Sequence, residues 1–244
     1  GHAMAEELEH ARTLRLVPRA PFHFDATLHK PDHIPSGDSL WEPGVRWQTA
    51  LWRGESVGLR IANAGDVDDP AIDVTVWSQQ ALDEPFVASL GQELRYRLNL
   101  DLDLGPFSRR FAGDPQLGPV IARWRGMRPA HFGSLYNYLI VAIVLQNAVI
   151  RRSIHMMQSL YERYGTPLRF DGVKVGYRAK AIKRVSAALA RGEVNEFALR
   201  RRSADEQRAA LLRLYGVGPA SVWYILFDVF HRLDELNHIA PWEQ

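Results

Sequence analysis

The stretch from Leu211 to Val222 constrains this chain more than any other, because it has the pattern of two apolar helices joined by an abrupt turn. The turn is Gly216-Val217-Gly218, and Pro219 follows it at once. Glycine lets the backbone bend tightly and leaves the amide groups unshielded, and proline suits the first turn of a helix. Free N–H groups at a helix start, with the positive end of the helix dipole, attract a phosphate. The pattern predicts a helix-hairpin-helix that binds a nucleic-acid backbone without reading its sequence; an ordinary helix–glycine–helix corner is the alternative.

Composition limits the classes of protein that this chain can belong to. Its 244 residues, 46% hydrophobic and 24% charged, are typical of a globular protein with one large or two small domains. The sequence contains no cysteine, which excludes disulfides, cysteine-ligated zinc, iron–sulfur clusters and a thiol nucleophile. We expect a cytoplasmic protein, associated with the nucleoid if it is bacterial or archaeal. The apolar run 135–150 contains Asn137, Gln146 and Asn147 and is shorter than a membrane span, so it predicts a buried helix and no membrane partner.

Charge is distributed unevenly along the chain. The formal net charge is only +2, but residues 145–244 carry 16 Lys and Arg against 10 Asp and Glu. The preceding residues carry 14 and 18, so a formal +6 follows a formal −4. A basic C-terminal part is typical of a region that binds a polyanion, although basic surfaces are often only solvated.

The first half of the chain has the alternation of β-strands. Apolar and polar residues alternate from Leu94 to Leu104, and Ile72, Val74 and Val76 alternate in the same way. The segments 22–24 and 57–61 predict further strands, and 63–66 with Asp69-Pro70 predicts a turn. We therefore expect a small antiparallel sheet over roughly residues 13–104.

The second half has the pattern of helices. Predicted helices cover 132–148, 150–164 with a stop at 165–167, and 179–190 with a stop at 191–192. Ser203 and Glu206 form a capping box that opens the helix leading into the hairpin. The predicted fold class is α+β, with an N-terminal antiparallel sheet domain at 5–115 followed by an all-helical domain at 116–244.

Several motifs together resemble the helix-hairpin-helix DNA glycosylases. The branch with an added N-terminal sheet, the alkylpurine (3-methyladenine II type) and 8-oxoguanine glycosylases, is the most similar. Besides the hairpin, residues 145–152 resemble the family's helix start that enters DNA opposite the flipped base, and residues 175–182 resemble its Gly-Tyr-Arg-Ala-Arg segment. The resemblance covers most of the chain, and its motifs are specific to the superfamily but not to a type of damage.

The resemblance implies a partner and a set of site residues. The partner is double-stranded DNA containing a damaged base, bound by a monomer. Asn147, with Gln146 beside it, fills the space left by the flipped base, and Arg152 addresses the opposite base. No cofactor is required, but the carbonyls of Leu212, Leu214 and Val217 match positions that hold a monovalent or calcium-like cation. The phosphate site includes Gly216, Gly218, Pro219, Ala220 and Ser221; candidate aromatic residues of the base pocket are Trp223, Tyr224 and Trp242.

The position of the family's catalytic aspartate carries no acid in this chain. That aspartate lies 22 to 24 residues beyond the first hairpin glycine, and Ala240 is its best match here. Three interpretations stay open: the aspartate has been replaced, another acid acts instead, or the protein binds damaged DNA without cutting it. Glu243 is the first candidate for a substitute acid, ahead of Asp228 and Asp234, although a helix-start glutamate that only interacts with the helix dipole is the more common interpretation of such a residue.

A second departure concerns the reaction type. Family members that also cleave the strand carry a lysine two residues beyond the second glycine, where this chain has Ala220. We therefore predict a monofunctional DNA N-glycosylase of base excision repair that removes an alkylated or oxidised purine. The alternative is a catalytically silent protein that senses damaged or distorted DNA. Family members continue with further helices, so a C-terminal portion missing after Gln244 is one interpretation of the sequence.

Overall fold

The computed structural model describes residues 4–29, 39–135, 137–139, 165–179, 194–214 and 217–233, with only the backbone for 165 and 173–179. Contacts between residues divide the chain into two compact units. The first comprises Gly1–Ala130 and Thr166–Arg178, and the second comprises His131–Gly165 and Ala179–Gln244. The described residues combine an antiparallel sheet with several helices, so the fold class is α+β.

A five-stranded antiparallel sheet forms the centre of the first unit. Its strands are β2 (His10–Leu16), β3 (Ser39–Glu42), β4 (Val45–Trp52), β5 (Glu55–Asn63) and β6 (Ile72–Ser78), in the order β2-β6-β5-β4-β3. Leu59 pairs with Val76, and Thr49 pairs with Gly58. The alternating residues predicted for β6, and the strand predicted at 57–61, are confirmed: one face is fully buried, with Val57, Leu59, Ile61, Ile72, Val74 and Val76 at 0% exposure.

Two segments predicted as strands are helical or irregular. Residues Glu84–Arg97 form helix α2, so the strand predicted from Leu94 to Leu104 is wrong. The carboxylate of Asp83 caps this helix by accepting the N–H of Phe86 at 2.9 Å. Leu90 and Leu94 are buried at helical spacing, and the apparent alternation spans the end of the helix and the turn after it.

The predicted strand at Phe22 to Phe24 is also wrong. Phe24–Leu28 forms the short helix α1, and the His23 Nδ1 atom accepts the N–H of Ala26 at 3.1 Å as its cap. Two seven-residue helices, α3 (Gly105–Phe111) and α4 (Leu117–Arg123), complete the helices of the first unit that the structure describes.

A second, smaller sheet contradicts the prediction that residues 116–244 are all-helical. Strand β1 (Glu6–Glu7) pairs in parallel with β7 (Gly165–Phe170), and β8 (Val173–Ala179) lies beside β7. Asp171 and Gly172 join β7 to β8 with positive φ angles of 52° and 70°, as tight hairpin turns require. Nearly all residues of the β7–β8 hairpin belong to the first unit by their contacts.

Within the described residues of the second unit, three helices have defined bounds: α5 (Glu196–Arg200), α6 (Ala204–Leu212) and α7 (Pro219–Asp228). Their apolar faces form a core that includes Leu211, Val222, Ile225 and Leu226. Residues 135 and 137–139 are helical as predicted, but residues 132–134 are irregular, so the predicted helix start at 132 is wrong. The rest of the helices predicted at 132–148, 150–164 and 179–190 lies outside the described residues, apart from position 179 in β8. Among the residues described, no helix has the length and apolarity to cross a bilayer.

Candidate nucleic-acid interface

Two helices lie on either side of the predicted hairpin turn, of which residues 215 and 216 are outside the described part of the chain. Helix α6 ends at Leu212, and helix α7 begins at Pro219 with Gly218 as its N-cap. The N–H of Leu214 donates to the carbonyl of Leu211 at 3.1 Å, which tightens the end of α6. Gly218 has φ −88° and ψ 168°, so its backbone angles do not require glycine. Glycine at this position instead has the advantage that it has no Cβ, so a ligand can approach the backbone amides that follow it.

Burial separates the two sides of the hairpin. Leu211, Leu214, Val217 and Val222 are all buried, with at most 6% of their surface exposed. Pro219 is exposed, and Gly218, Ala220 and Ser221 are half-buried. The apolar side chains hold the hairpin against the core of its unit, and the start of α7 is left accessible to a ligand.

The start of α7 differs from the starts of the two helices before it. The Asn195 side chain caps α5, and Glu196 lies in its first turn; the Ser203 hydroxyl caps α6 by accepting the N–H of Glu206 at 3.2 Å. That bond confirms the Ser203 half of the predicted capping box. Helix α7 has no side-chain cap and no acidic residue in its first turn, all of which the structure describes.

Within the part of the chain that the structure describes, the first-turn amides of α7 have no hydrogen-bond acceptor. The first intrahelical bond runs from the N–H of Val222 to the carbonyl of Gly218 at 3.1 Å, so the N–H groups of Gly218, Ala220 and Ser221 have no intrahelical partner. Pro219 has no N–H to satisfy. Three amides and an unneutralised dipole end make this helix start chemically suited to an anion such as phosphate.

A cation–aromatic contact ties α6 to α7. The Arg208 guanidinium lies 4.7 Å from the ring centre of Trp223, and its Nη1 atom donates to the Asp205 carboxylate at 3.0 Å. Trp223 is partly buried against the helical core, whereas Tyr224 is 49% exposed. Of the two described residues predicted for the base pocket, Trp223 thus contributes to helix packing, and Tyr224 is the accessible aromatic ring.

The carbonyls predicted to hold a cation lie at the end of α6 and in the turn. The Leu214 carbonyl accepts the N–H of Val217 at 3.3 Å, a long bond that leaves one of its lone pairs available. Carbonyl oxygens are ligands of hard cations, so the donor set of Leu212, Leu214 and Val217 fits the predicted ion in its chemistry. The ion itself stays a prediction.

Several predicted site residues lie outside the described part of the chain. They are Gln146, Asn147, Arg152, Gly216, Asp234, Ala240, Trp242 and Glu243. Asp228, the last residue of α7, is described, and its carboxylate accepts a hydrogen bond from the Tyr138 hydroxyl at 3.2 Å. This acid therefore takes part in the packing of its own unit.

The helical unit also contains a histidine pair that the sequence did not single out. His131 is completely buried, and its ring centre lies 5.4 Å from that of His231 and 6.1 Å from that of Tyr138. No periodic or spacing signal in the sequence links residues 131 and 231. No group of three metal-ligating His, Asp or Glu side chains occurs within the ranges that the structure covers.

A cavity of about 280 Å³ lies beside α5 and α6 in the same unit. Its lining includes Asn195, Arg202 and Arg213 and does not include Trp223 or Tyr224. The cavity is therefore separate from the candidate aromatic residues of the base pocket.

Comparison with solved structures identifies the fold as that of DNA glycosylases. A 3-methyladenine DNA-glycosylase from Archaeoglobus fulgidus superposes with a TM-score of 0.67 at 15% identity, over 89% of this chain and 80% of that one. A structure of MBOgg1 in complex with a low-affinity DNA ligand gives 0.62 at 18% identity, over 91% and 78%. The apo form of an 8-oxoguanine glycosylase/lyase from Clostridium acetobutylicum gives 0.62 at 14%, over 97% and 85%. No protein-family model and no curated protein matches the sequence.

These similarities agree with the predicted resemblance to helix-hairpin-helix DNA glycosylases. Each of the three superpositions covers most of both chains, so the likeness extends well beyond the hairpin. At identities of 14–18%, the similarity establishes the fold, and the chemistry has to be argued from the residues of this chain.

Proposed function

We propose that this protein is a monofunctional DNA N-glycosylase that removes a damaged, alkylated or oxidised purine from duplex DNA. The observation that carries the proposal is the start of α7, which has no side-chain cap and no acidic residue in its first turn, within a fold that solved DNA glycosylases share. A binding site for a single phosphate positions the DNA strand but does not discriminate between DNA sequences. Such binding suits an enzyme that has to search all sequences for a lesion.

In the proposed reaction, the damaged base leaves the duplex before its bond to the sugar breaks. Extrusion costs a few kcal/mol of stacking and pairing, and less for a lesion that pairs poorly. The hairpin amides, including those of Gly216, Gly218, Ala220 and Ser221, hold one phosphate, and a cation on the hairpin carbonyls stiffens the turn. Asn147 and Gln146 fill the vacated space, and Arg152 contacts the opposite base. The protein acts as a monomer on double-stranded DNA.

Hydrolysis of the N-glycosidic bond requires no covalent intermediate in this proposal. Water adds to the sugar carbon, the bond to the base breaks, and the base leaves with a proton. Ala220 occupies the position where strand-cleaving relatives are expected to carry a lysine amine, so no Schiff base with the sugar can form there. Ala240 offers no charge to stabilise the sugar cation, and Glu243 is the candidate for that role.

The test is incubation of the protein with duplexes that each carry one alkylated or oxidised purine. We expect base release that yields strand breaks only after heating in alkali, and no complex trapped by borohydride. Glu243→Gln is expected to reduce the rate by at least about 100-fold if that acid stabilises the transition state. Ala240→Asp restores the expected family acid and is expected to raise the rate.

The absence of an acid at Ala240 favours one further candidate, a protein that senses damaged DNA without cutting it. This candidate predicts tight binding to distorted duplexes, no base release from any lesion, and no effect of Glu243→Gln. Base release by the unmodified protein excludes it. Binding that is insensitive to salt excludes both candidates, because phosphate recognition by cationic groups weakens as salt rises.

A further inference from the structure

Helices α3 and α4 form an exposed surface that the proposed function does not use. The structure describes every residue of both helices, and none of them is buried. Helices this short are marginal in water unless they bury an apolar face. Yet Phe107 and Val120 are each 53% exposed, and Trp124 is 40% exposed. An exposed apolar patch of this kind marks a site of interaction.

The two helices repeat one arrangement of side chains. In each, an apolar residue is followed at the third and fourth positions by an arginine and an aromatic residue, which places all three on one helix face. We call these six residues the α3–α4 surface: Phe107, Arg110 and Phe111 from the first helix, and Val120, Arg123 and Trp124 from and just after the second.

The arginines of this surface lie over the aromatic rings. The Arg110 guanidinium is 5.2 Å from the centre of the Phe111 ring, and that of Arg123 is 5.3 Å from the centre of the Trp124 ring. Neither arginine forms an ion pair with any residue that the structure describes, whereas neighbouring Arg125 pairs with Asp68 at 2.7 Å. The two guanidinium groups of the surface are therefore held in place and keep their charge available.

Charge identifies the kind of partner. Residues 105–125 contain four arginines, no lysine and a single acid, Asp114. The Asp114 carboxylate accepts the N–H groups of Gln116 and Leu117, both at 2.8 Å, and so stabilises the start of α4. The surface as a whole is cationic and is complementary to a polyanion.

We infer that the α3–α4 surface is a second DNA-contact site, separate from the hairpin. This inference rests on the proposed function in taking DNA as the partner. Arg110 and Arg123 neutralise phosphates, and Phe107 and Trp124 cover the sugar and base edges between them. Basic side chains interleaved with aromatic rings are the pattern of nucleic-acid binding surfaces. An acidic protein segment is the competing occupant, and the test separates the two.

The test measures binding, not base release. The probe is a short fluorescein-labelled duplex with a stable abasic analogue, and its dissociation constant is measured by fluorescence anisotropy over a range of KCl concentrations. The variant is R110Q/R123Q. The matched control is R15Q/R169Q, which removes the same charge from exposed arginines of the same unit that pair with Asp73 and Glu7.

We expect R110Q/R123Q to bind the duplex roughly tenfold more weakly than the control, with the slope of log affinity against log salt smaller by about 1.8, or about 0.9 per lost phosphate contact. Trp124→Ala is expected to weaken binding several-fold without changing the slope, because a ring contributes no charge. Circular dichroism checks that each variant is folded.

The inference and the proposed function can fail separately. If R110Q/R123Q binds with the affinity and slope of the control, the DNA site on this surface is refuted, and an acidic protein becomes the better occupant. If no lesion is excised but R110Q/R123Q still binds more weakly, the glycosylase proposal fails and the second contact site stands. If the unmodified protein does not bind duplex DNA at all, both are refuted.

Discussion

The ring of Phe170 lies directly against Gly58, so that a Cβ atom at position 58 would come within 2.4 Å of the Phe170 Cδ1 atom. Gly58 lies in β5 of the larger sheet, and Phe170 ends β7 of the smaller one. Trp77 flanks the contact, with its ring centre 5.4 Å from that of Phe170. The missing side chain of one residue therefore makes room for the ring that joins the two sheets.

Adding one methyl group at this contact is expected to destabilise the first unit. Gly58→Ala forces the Phe170 ring or the strand to move, and overpacking of this kind costs about 1–3 kcal/mol. Thermal and urea unfolding measure the loss. Gly113→Ala is the control, since a Cβ there meets nothing within 4 Å, and it is expected to leave the stability almost unchanged. Equal unfolding midpoints for the two variants would contradict the packing described here.

The two sheets that meet at this contact differ in how far the sequence alone predicts them. The alternation at Ile72, Val74 and Val76 was sufficient to predict β6, because one face of that strand is fully buried. For the segment that contains Phe170, the sequence predicts the all-helical part, because helical patterns surround it. Its pairing with β1 joins residues about 160 positions apart, and no local pattern encodes so distant a partner.

A buried arginine organises the loops beside the larger sheet. Arg128 is 2% exposed, and its guanidinium donates to the carbonyls of Asn99 at 2.8 Å, Leu102 at 3.2 Å and Arg19 at 3.0 Å. Further hydrogen bonds go to the carbonyls of Leu100 and Pro21. Replacing Arg128 with Met removes five donor contacts in one step, so the buried carbonyls lose their partners.

Arg128→Met is therefore expected to lower the free energy of unfolding by about 3 kcal/mol or more. Arg125→Met nearby removes an exposed ion pair and is expected to cost less than about 1 kcal/mol. Urea unfolding compares the two; if both lose equally little, Arg128 does not hold these loops together.

The contribution of Arg128 to the free energy of unfolding changes with pH in a direction that follows from its pKa. Burial lowers the pKa of Arg128 to about 10. Below that pH the group is protonated in both the folded and the unfolded chain, so it contributes no pH dependence, and its contribution to stability rises with pH only above about 10. The stability difference between Arg128→Met and the unmodified protein is therefore expected to be constant from about pH 6 to 9.

Truncation of two adjacent leucines at the end of α6 is expected to lower the folding stability by very different amounts. Leu211 is fully buried, whereas Leu212 is 45% exposed. Leu211→Ala opens a cavity beneath the hairpin and is expected to cost about 2–5 kcal/mol. Leu212→Ala, a matched control in the same helix turn, is expected to cost less than about 1 kcal/mol. Thermal unfolding measures both, and a larger loss for Leu212→Ala would show that the hairpin presents the other face to its core.

The two helices that flank the hairpin turn could be predicted from the sequence because their signals are local. Apolar spacing, the two glycines and Pro219 each act within a few residues, and the helix starts where proline was expected. The proposed phosphate binding at the start of α7 depends on a feature that is less local: helices α5 and α6 begin with side-chain caps and acidic residues, and α7 does not. This difference between the helix starts can be read from the sequence. It points to a ligand site only when the structure shows which side of the hairpin is exposed and which is buried.

A carboxylate placed at the start of α7 tests the phosphate site directly. In Ala220→Asp, the new charge lies in the first helical turn, where it interacts favourably with the helix dipole. Folding stability is therefore expected to stay equal or rise slightly, while affinity for duplex DNA falls by at least about tenfold, because the carboxylate repels the phosphate at its own binding site. Anisotropy with a labelled duplex measures the affinity, and thermal unfolding measures the stability.

Ala204→Asp is the matched control for this change, since it adds the same charge to the first turn of α6, in the same unit. Its effect on affinity is expected to be less than about twofold, because that helix start already carries Asp205 and Glu206. The comparison cancels the general effect of one added negative charge on binding to DNA. If the two variants bind DNA equally well, the start of α7 does not contact the phosphate; if only Ala220→Asp loses affinity while remaining folded, the lost contact is at the hairpin.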